Sequence, residues 1–395
     1  MERIGIYGGT FNPPHLGHFH AAQFAAQALN LDRLLMIPDK IAPHKELPEG
    51  SPTPRQRLEM VRLGSDSTIE APDLELKREG TSYTYQTVLQ ICEQYPEAKL
   101  FLLMGTDMFL SFSTWRYPKV ILEHAALGVL YRGEPDEVAK IEAVRTQMEA
   151  DGAEIHLIAN PVTAISSTQL RRMLVFRCAG EFLPEAVERY IYDNGLYGIG
   201  QDYRNLSITQ LQETVVKLLK PNRVAHVLGC TETARELARR YGVNETDAVR
   251  AGLLHDITKA LDGPLQLTLC RSYGTILDEF SAKNPKTLHA LTGSLVAERI
   301  FGENEAVVQA IRCHTTGKAD MNLLEKIIYV ADYMEPNRDF PGVEKLRSLA
   351  YEDITQALKL GLNMTLDMLR SQNRDISPES SQALAFLERE ERKIL

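Results

Sequence analysis

An open parallel α/β sheet followed by an all-α bundle is the fold class that this 395-residue sequence predicts. Three observations lead there. The chain is longer than one core ordinarily serves, which favours two domains. Its first half alternates short apolar runs with amphipathic helical stretches, the pattern of a parallel sheet covered on both faces. From about residue 207 the strand signal stops and helical periodicity runs to the C-terminus.

The expected strands are Arg3–Tyr7, Arg33–Pro38, Lys99–Met104, Ala126–Tyr131 and Glu154–Ile158. Between them, Phe19–Leu29, Pro54–Ser65 and Tyr83–Tyr95 read as helices. Sheets of this Rossmann-like kind bind ligands at the carboxyl ends of their strands, beside the switch in strand order. Ser207-Ile208-Thr209-Gln210 has the form of a capping box that opens the first helix of the second half. The segment 194–200 carries three glycines between the two regimes, so the expected domains are 1–198 and 199–395.

Composition narrows the function classes. Apolar residues make up 44% and charged residues 25%, ordinary for a globular chain. A net charge of −9 argues against a general grip on nucleic acid or on anionic membrane, while leaving room for small anionic ligands. The five dispersed cysteines form no C-x-x-C pair and read as reduced thiols. The start, MERIGIYGGTF, enters a strand without a signal-peptide pattern, and no apolar run approaches the ~20 residues of a membrane span. The expectation is a cytoplasmic protein with no nucleic-acid or membrane partner; a homo-oligomer is compatible with it.

Gly8-Gly9-Thr10-Phe11-Asn12-Pro13-Pro14-His15-Leu16-Gly17-His18 follows a strand and opens a helix. Glycines permit close backbone approach, and a helix N-terminus offers unpaired N–H groups to phosphate. His15 and His18 lie one turn apart, so both rings can face one anion, and Gly17 keeps that face open. A second cluster, Ile165-Ser166-Ser167-Thr168-Gln169-Leu170-Arg171, places hydroxyls and free N–H groups at a helix start with Arg171 one turn in.

These segments resemble the H-x-G-H and I-S-S-T-x-[LIV]-R signatures of the nucleotidyltransferase superfamily. The form GGTFNPPHLGH is similar to bacterial nicotinate-nucleotide adenylyltransferases in particular, over residues 1–198. That resemblance implies transfer of AMP from ATP to nicotinate mononucleotide, with Mg²⁺ bound through ATP and His15 and His18 catalytic. It implies further contacts from Gly8, Gly9, Thr10, Phe11, Lys45, Gly105, Asp107, Trp115, Arg132, Ile165, Ser166, Ser167, Thr168 and Arg171. Pro43-His44-Lys45 departs from the family's loop in having Ala42 where proline is common. His15 stands where the sister enzymes that adenylate phosphopantetheine usually carry Thr.

The second half holds His226, His255-Asp256, His289, His314 and Asp332, borderline or hard ligands suited to Fe, Mn, Zn or Co. Sequence intervals of about 29, 33, 25 and 18 residues fit one ligand per successive helix of a bundle. A His-Asp pair at a helix end or bend can aim both side chains at one locus, and Asp256 can then bridge two ions. The set resembles the HD-domain phosphohydrolases, specifically the YqeK-like family associated with symmetrical diadenosine-tetraphosphate hydrolysis, over roughly residues 205–385. By that resemblance the bundle is an HD domain with two metal ions, iron or else Mn, Co or Zn. His226, His255, Asp256 and Asp332 would hold one, and His289, His314 and Asp256 the other. Asp256 is catalytic in this reading, and a dinucleoside polyphosphate is the substrate. Lys259 meets a substrate phosphate or pairs with a carboxylate; Arg223, Lys318 and Arg338 are further phosphate candidates. Cys230 departs from the aliphatic residue expected there and packs as a small hydrophobe. Alternatives are another nucleotide phosphoester or a regulatory nucleotide-binding module for the second half, and nicotinamide mononucleotide for the first.

Overall fold

The computed structural model describes residues 1–42, 46–160 and 165–394. The chain divides into two compact units, Met1–Gln201 and Asp202–Leu395. Among the described residues no helix is long and apolar enough to cross a membrane, and all five cysteines are free.

The first unit is built on six parallel strands: β1 (Arg3–Gly9), β2 (Arg33–Pro38), β3 (Ile69–Glu70), β4 (Lys99–Gly105), β5 (Ala125–Tyr131) and β6 (Ile155–Ala159). Their order is β3-β2-β1-β4-β5-β6, with every neighbouring pair parallel. Both sheet faces are buried, which is why the strands read as apolar runs. Along β4, Leu100, Leu102 and Met104 join one core cluster while Phe101 and Leu103 join the other, the two-residue period of a strand. Strand β3 is an addition to the sequence reading. At two residues, it is too short to carry any periodicity.

The strand order reverses between β1 and β4; the chain leaves β1 through a short loop into a helix and leaves β4 directly into one. Leu16–Ala28 follows β1 with His15 as its N-cap, and Thr106–Leu110 follows β4 with Gly105 as its N-cap. The helix Ser167–Val175 arrives after β6, capped by the Ser166 side chain, which accepts from the Gln169 N–H. Helices also include Pro54–Gly64, whose Arg57 is entirely buried.

The second unit is helical throughout its described residues. Its helices include Ile208–Leu218, Val224–Tyr241, Glu245–Leu254, Leu288–Arg299, Glu305–Cys313, Leu323–Met334, Val343–Glu352 and Ile354–Ser371. Ser207 and Gln210 do form a reciprocal capping box on the first of these. Val224–Tyr241 and Glu245–Leu254 approach closely at Gly252, where a Cβ would stand 2.8 Å from the Thr231 Cα. That contact is backbone against backbone, so any side chain at 252 would push the two helices apart.

Candidate active sites

In the first unit, His15 and His18 face each other with ring centroids 3.7 Å apart. His18 Nδ1 accepts the His15 backbone N–H at 3.2 Å, which leaves its Nε2 to carry the proton and donate. Burial pushes His15 down to about 4 and holds His18 well below the usual imidazole range, with His15 adding to the effect. At neutral pH both rings are therefore neutral hydrogen-bond donors. They line a cavity of about 650 Å³ together with Gly105, Asp107, Arg132 and Ile165. His15, which lines it, has a buried Nδ1 without a hydrogen-bond partner, in keeping with a polar ligand.

The two signature segments meet directly. Arg171 Nη1 donates to the Asn12 carbonyl at 2.7 Å and Ser167 Oγ to the Pro13 carbonyl at 3.2 Å, while Arg171 Nη2 donates to Thr168 Oγ1. Gly8, Gly9 and Thr10 form the end of β1 and the turn beyond it. Thr10 Oγ1 donates to Asp39 Oδ2 at 2.8 Å. Phe11, in left-handed backbone with φ of 46°, buries its ring edge-on between Tyr7 and His18. Trp115 does not line the cavity. It packs on Phe112 at 5.2 Å, while its neighbour Arg116 lies over the Tyr83 ring. Lys45, with Pro43 and His44, lies outside the described residues.

Sequence reasoning passed over two residues here. Arg57 donates to the Thr10 carbonyl (2.6 Å), Asp39 Oδ1 (3.0 Å) and the Asp39 carbonyl (2.7 Å), tying the loop after β1 to the end of β2. Glu137 accepts from Thr106 Oγ1 at 2.5 Å and from the Arg132 and Gly133 N–H groups. Burial works against its carboxylate, but those hydrogen bonds hold it below the usual range. Only a helical charge at 137 was visible in the sequence, and nothing in the pattern linked it to a strand end.

In the second unit all six expected ligands converge. His226 lies on Val224–Tyr241, His289 on Leu288–Arg299 and Asp332 on Leu323–Met334, while His255 and His314 are C-cap residues of their helices. His226 Nε2 is 3.1 Å from Asp332 Oδ1 and 3.3 Å from His255 Nε2. Asp256 turns Oδ2 toward His226 and His255, each at 3.7 Å, and Oδ1 toward His289 at 3.5 Å and His314 at 3.9 Å. Its two oxygens thus face two different pairs of imidazoles.

The donor set fits divalent metal. Each imidazole donates Nδ1–H outward: His226 to Glu335, His255 to Gly252 O, His289 to Lys286 O and His314 to Ile311 O. The neutral rings then all point Nε2 lone pairs inward, and two lone pairs 3.3 Å apart repel unless a cation lies between them. Donors ~2.1 Å from one ion stand roughly 3 to 3.5 Å from each other, the spacing seen here. Two groups have ligand atoms mutually within 4.8 Å: His226, His255 and Asp332, and His255, Asp256 and His314. Burial pushes His314 down to about 4 and His255 and His289 well down, so the rings stay unprotonated and free to ligate.

Cations ring the cluster. Arg223 pairs with Asp256, Arg338 with Asp332 at 2.7 Å, and Lys259 Nζ lies 2.8 Å from His289 Nε2. Burial lowers the Lys259 ammonium to about 8. Lys318 instead pairs with Glu325 at 2.6 Å. Cys230 is fully buried, its thiol pushed well up by that burial. Thr258, Thr292 and Gln266 form a buried chain beneath the site: Thr258 Oγ1 lies 2.8 Å from Thr292 Oγ1, Thr292 donates to Gln266 Oε1, and Gln266 Nε2 donates to the Thr258 carbonyl. Thr258 stands in the segment that carries the His-Asp pair, whereas Thr292, Gln266 and Glu335 were not singled out from the sequence.

A pair of neutral histidines at a helix start on a 3-2-1-4-5-6 sheet fits a nucleotidyltransferase, and four histidines and two aspartates converging in a helical bundle fit an HD-type metal domain. Profile comparison agrees. The cytidylyltransferase-like family matches residues 6–173 and the HD domain matches residues 223–337. The chain belongs to the nicotinate-nucleotide adenylyltransferase family through its N-terminal half and to the symmetrical bis(5'-nucleosyl)-tetraphosphatase family through its C-terminal half. A probable nicotinate-nucleotide adenylyltransferase of Dictyoglomus thermophilum is 36% identical over 198 residues, covering 49% of this chain and 99% of that protein. The symmetrical bis(5'-nucleosyl)-tetraphosphatase of Halalkalibacterium halodurans is 41% identical over 170 residues, covering 42% of this chain and 90% of its own length. The same organism has a separate probable nicotinate-nucleotide adenylyltransferase, 32% identical over 214 residues, 53% of this chain and 98% of that protein.

Proposed function

We propose that residues 1–198 transfer AMP from ATP to nicotinate mononucleotide and that residues 199–395 hydrolyse diadenosine tetraphosphate to two ADP. The carrying observation for the first half is the pair of neutral imidazoles beside a helix N-terminus, tied through Asn12 and Pro13 to Arg171 and Ser167. In the reaction, a phosphate oxygen of the mononucleotide attacks the α-phosphorus of ATP, the α–β bridging bond breaks, and pyrophosphate leaves. The nucleophile is already anionic, so no general base is required. His15 and His18 donate to the phosphate oxygens as charge moves onto them. Ser166, Ser167, Thr168 and Arg171 hold the departing β- and γ-phosphates, and Mg²⁺ arrives with ATP. Gly105, Asp107 and Arg132, which line the same cavity, would meet the nucleoside.

For the second half, the bridging disposition of Asp256 favours two ions, held by His226, His255, Asp256 and Asp332 and by His289, His314 and Asp256. The mixed N/O donor set suits iron, with Mn, Co or Zn as substitutes. Bound there, such ions supply Lewis-acid stabilisation and a more acidic water. Water adds to a β-phosphorus, the central β–β′ bridging bond breaks, and both products leave as ADP. Lys259, Arg223 and Arg338 surround the cluster as cations that bind the chain of phosphates.

Paired variants of the full chain test both halves. His18→Ala abolishes nicotinate-mononucleotide-dependent pyrophosphate release and leaves ADP formation from diadenosine tetraphosphate intact. Asp256→Ala does the reverse and lowers metal content. Loss of both activities in either variant overturns the two-site assignment. Products other than ADP overturn symmetrical hydrolysis.

A further inference from the structure

The four imidazoles of the second unit differ in what holds their outer nitrogens. His255, His289 and His314 donate to backbone carbonyls at 2.7, 3.0 and 2.7 Å. His226 donates to a carboxylate, Glu335 Oε1, at 3.0 Å. Glu335 is 1% exposed. Its other oxygen accepts from the Asn337 backbone N–H and from Asn337 Nδ2, both at 2.8 Å. Arg347 donates to the Glu335 and Met334 carbonyls, fixing the end of the Leu323–Met334 helix. Room for the carboxylate comes from Gly229, one turn beyond His226, where a Cβ would stand 2.5 Å from Glu335 Oε2. A buried carboxylate is costly unless well partnered. This one is partnered on both oxygens, with a metal-facing imidazole as one of the partners.

An imidazole backed by a carboxylate is a more basic, better-oriented ligand than one backed by a carbonyl. We propose that Glu335 is a positioning residue that makes the two metal positions unequal. The position of His226, His255 and Asp332 fills first and holds its ion more tightly. The position of His289 and His314, whose outer nitrogens meet carbonyls and the Lys259 ammonium but no carboxylate, fills at higher metal concentration. The proposal rests on these residues being metal ligands but is independent of which nucleotide is hydrolysed.

The test uses metal-stripped full-length protein titrated with Mn²⁺, the free ion being followed by its electron paramagnetic resonance signal. The wild type binds two equivalents in two affinity classes. Glu335→Gln weakens the tight class about 10- to 100-fold and leaves the weak class where it was; His289→Ala affects the weak class only. Gly229→Ala, which displaces the flexible end of Glu335 without removing its charge, reproduces the selective loss and carries the comparison if the glutamine variant fails to fold by circular dichroism. A merely structural Glu335 would instead lower both classes together. Equal wild-type affinities, or equal loss in both classes, overturn the proposal. Wild-type protein that binds no Mn²⁺ overturns the metal reading beneath it.

Discussion

His15 is kept neutral by burial rather than by a partner, since its Nδ1 has no hydrogen-bond partner. A histidine whose folded value lies below its unfolded value of about 6.5 costs stability as pH falls, because the unfolded chain takes up the proton first. With the folded value at about 4, the loss begins near pH 6.5, reaches about 2 kcal/mol at pH 5, and levels off below pH 4. His18 adds to it in the same direction. Trp115 is the single tryptophan and belongs to the first unit, so its fluorescence follows that unit's unfolding alone. Urea titrations at pH 7 and pH 5 read by Trp115 should give the lower midpoint at pH 5. His15→Asn should shrink the gap between the two.

At the scale of elements, the loop after β1 is held from two sides, by Arg171 on one helix and by Arg57 on another. Arg57 is wholly buried and its partner Asp39 is only 14% exposed. Arg57→Met therefore leaves a poorly solvated carboxylate with Thr10 as its remaining side-chain partner and should cost roughly 3–5 kcal/mol. The midpoint of the Trp115 transition measures it, and the Michaelis constant for ATP should rise as the loop loosens. Glycine-rich turns, helix caps and ligand-type residues announce themselves by residue type and short spacing, so the H-x-G-H helix and the His255-Asp256 turn were legible in the sequence. Arg57, Glu137 and Glu335 were not. They are ordinary helical charges by pattern, and only the fold brings them against residues 47, 31 and 109 positions away. Strand β3 was hidden for a different reason: two residues joined to the edge of a sheet by pairing leave no local signature.

At the scale of the whole molecule, each half matches nearly the full length of a relative that exists as a protein of its own. The two activities should therefore separate by metal requirement. Dialysis against a chelator should abolish hydrolysis of the tetraphosphate. Mg²⁺ alone should restore pyrophosphate release, while Fe²⁺, Mn²⁺ or Co²⁺ should be needed to restore ADP formation, since imidazole ligands favour those ions over Mg²⁺. Circular dichroism of the stripped protein should keep its helical signal. The helices of the second unit pack through buried apolar residues such as Leu237, Ile328 and Leu362, which supply most of its burial apart from the His/Asp cluster.

Carrying both units on one polypeptide also has a consequence for their supply. Fusion fixes the two catalytic units at one copy each, whatever the rate at which the chain is made.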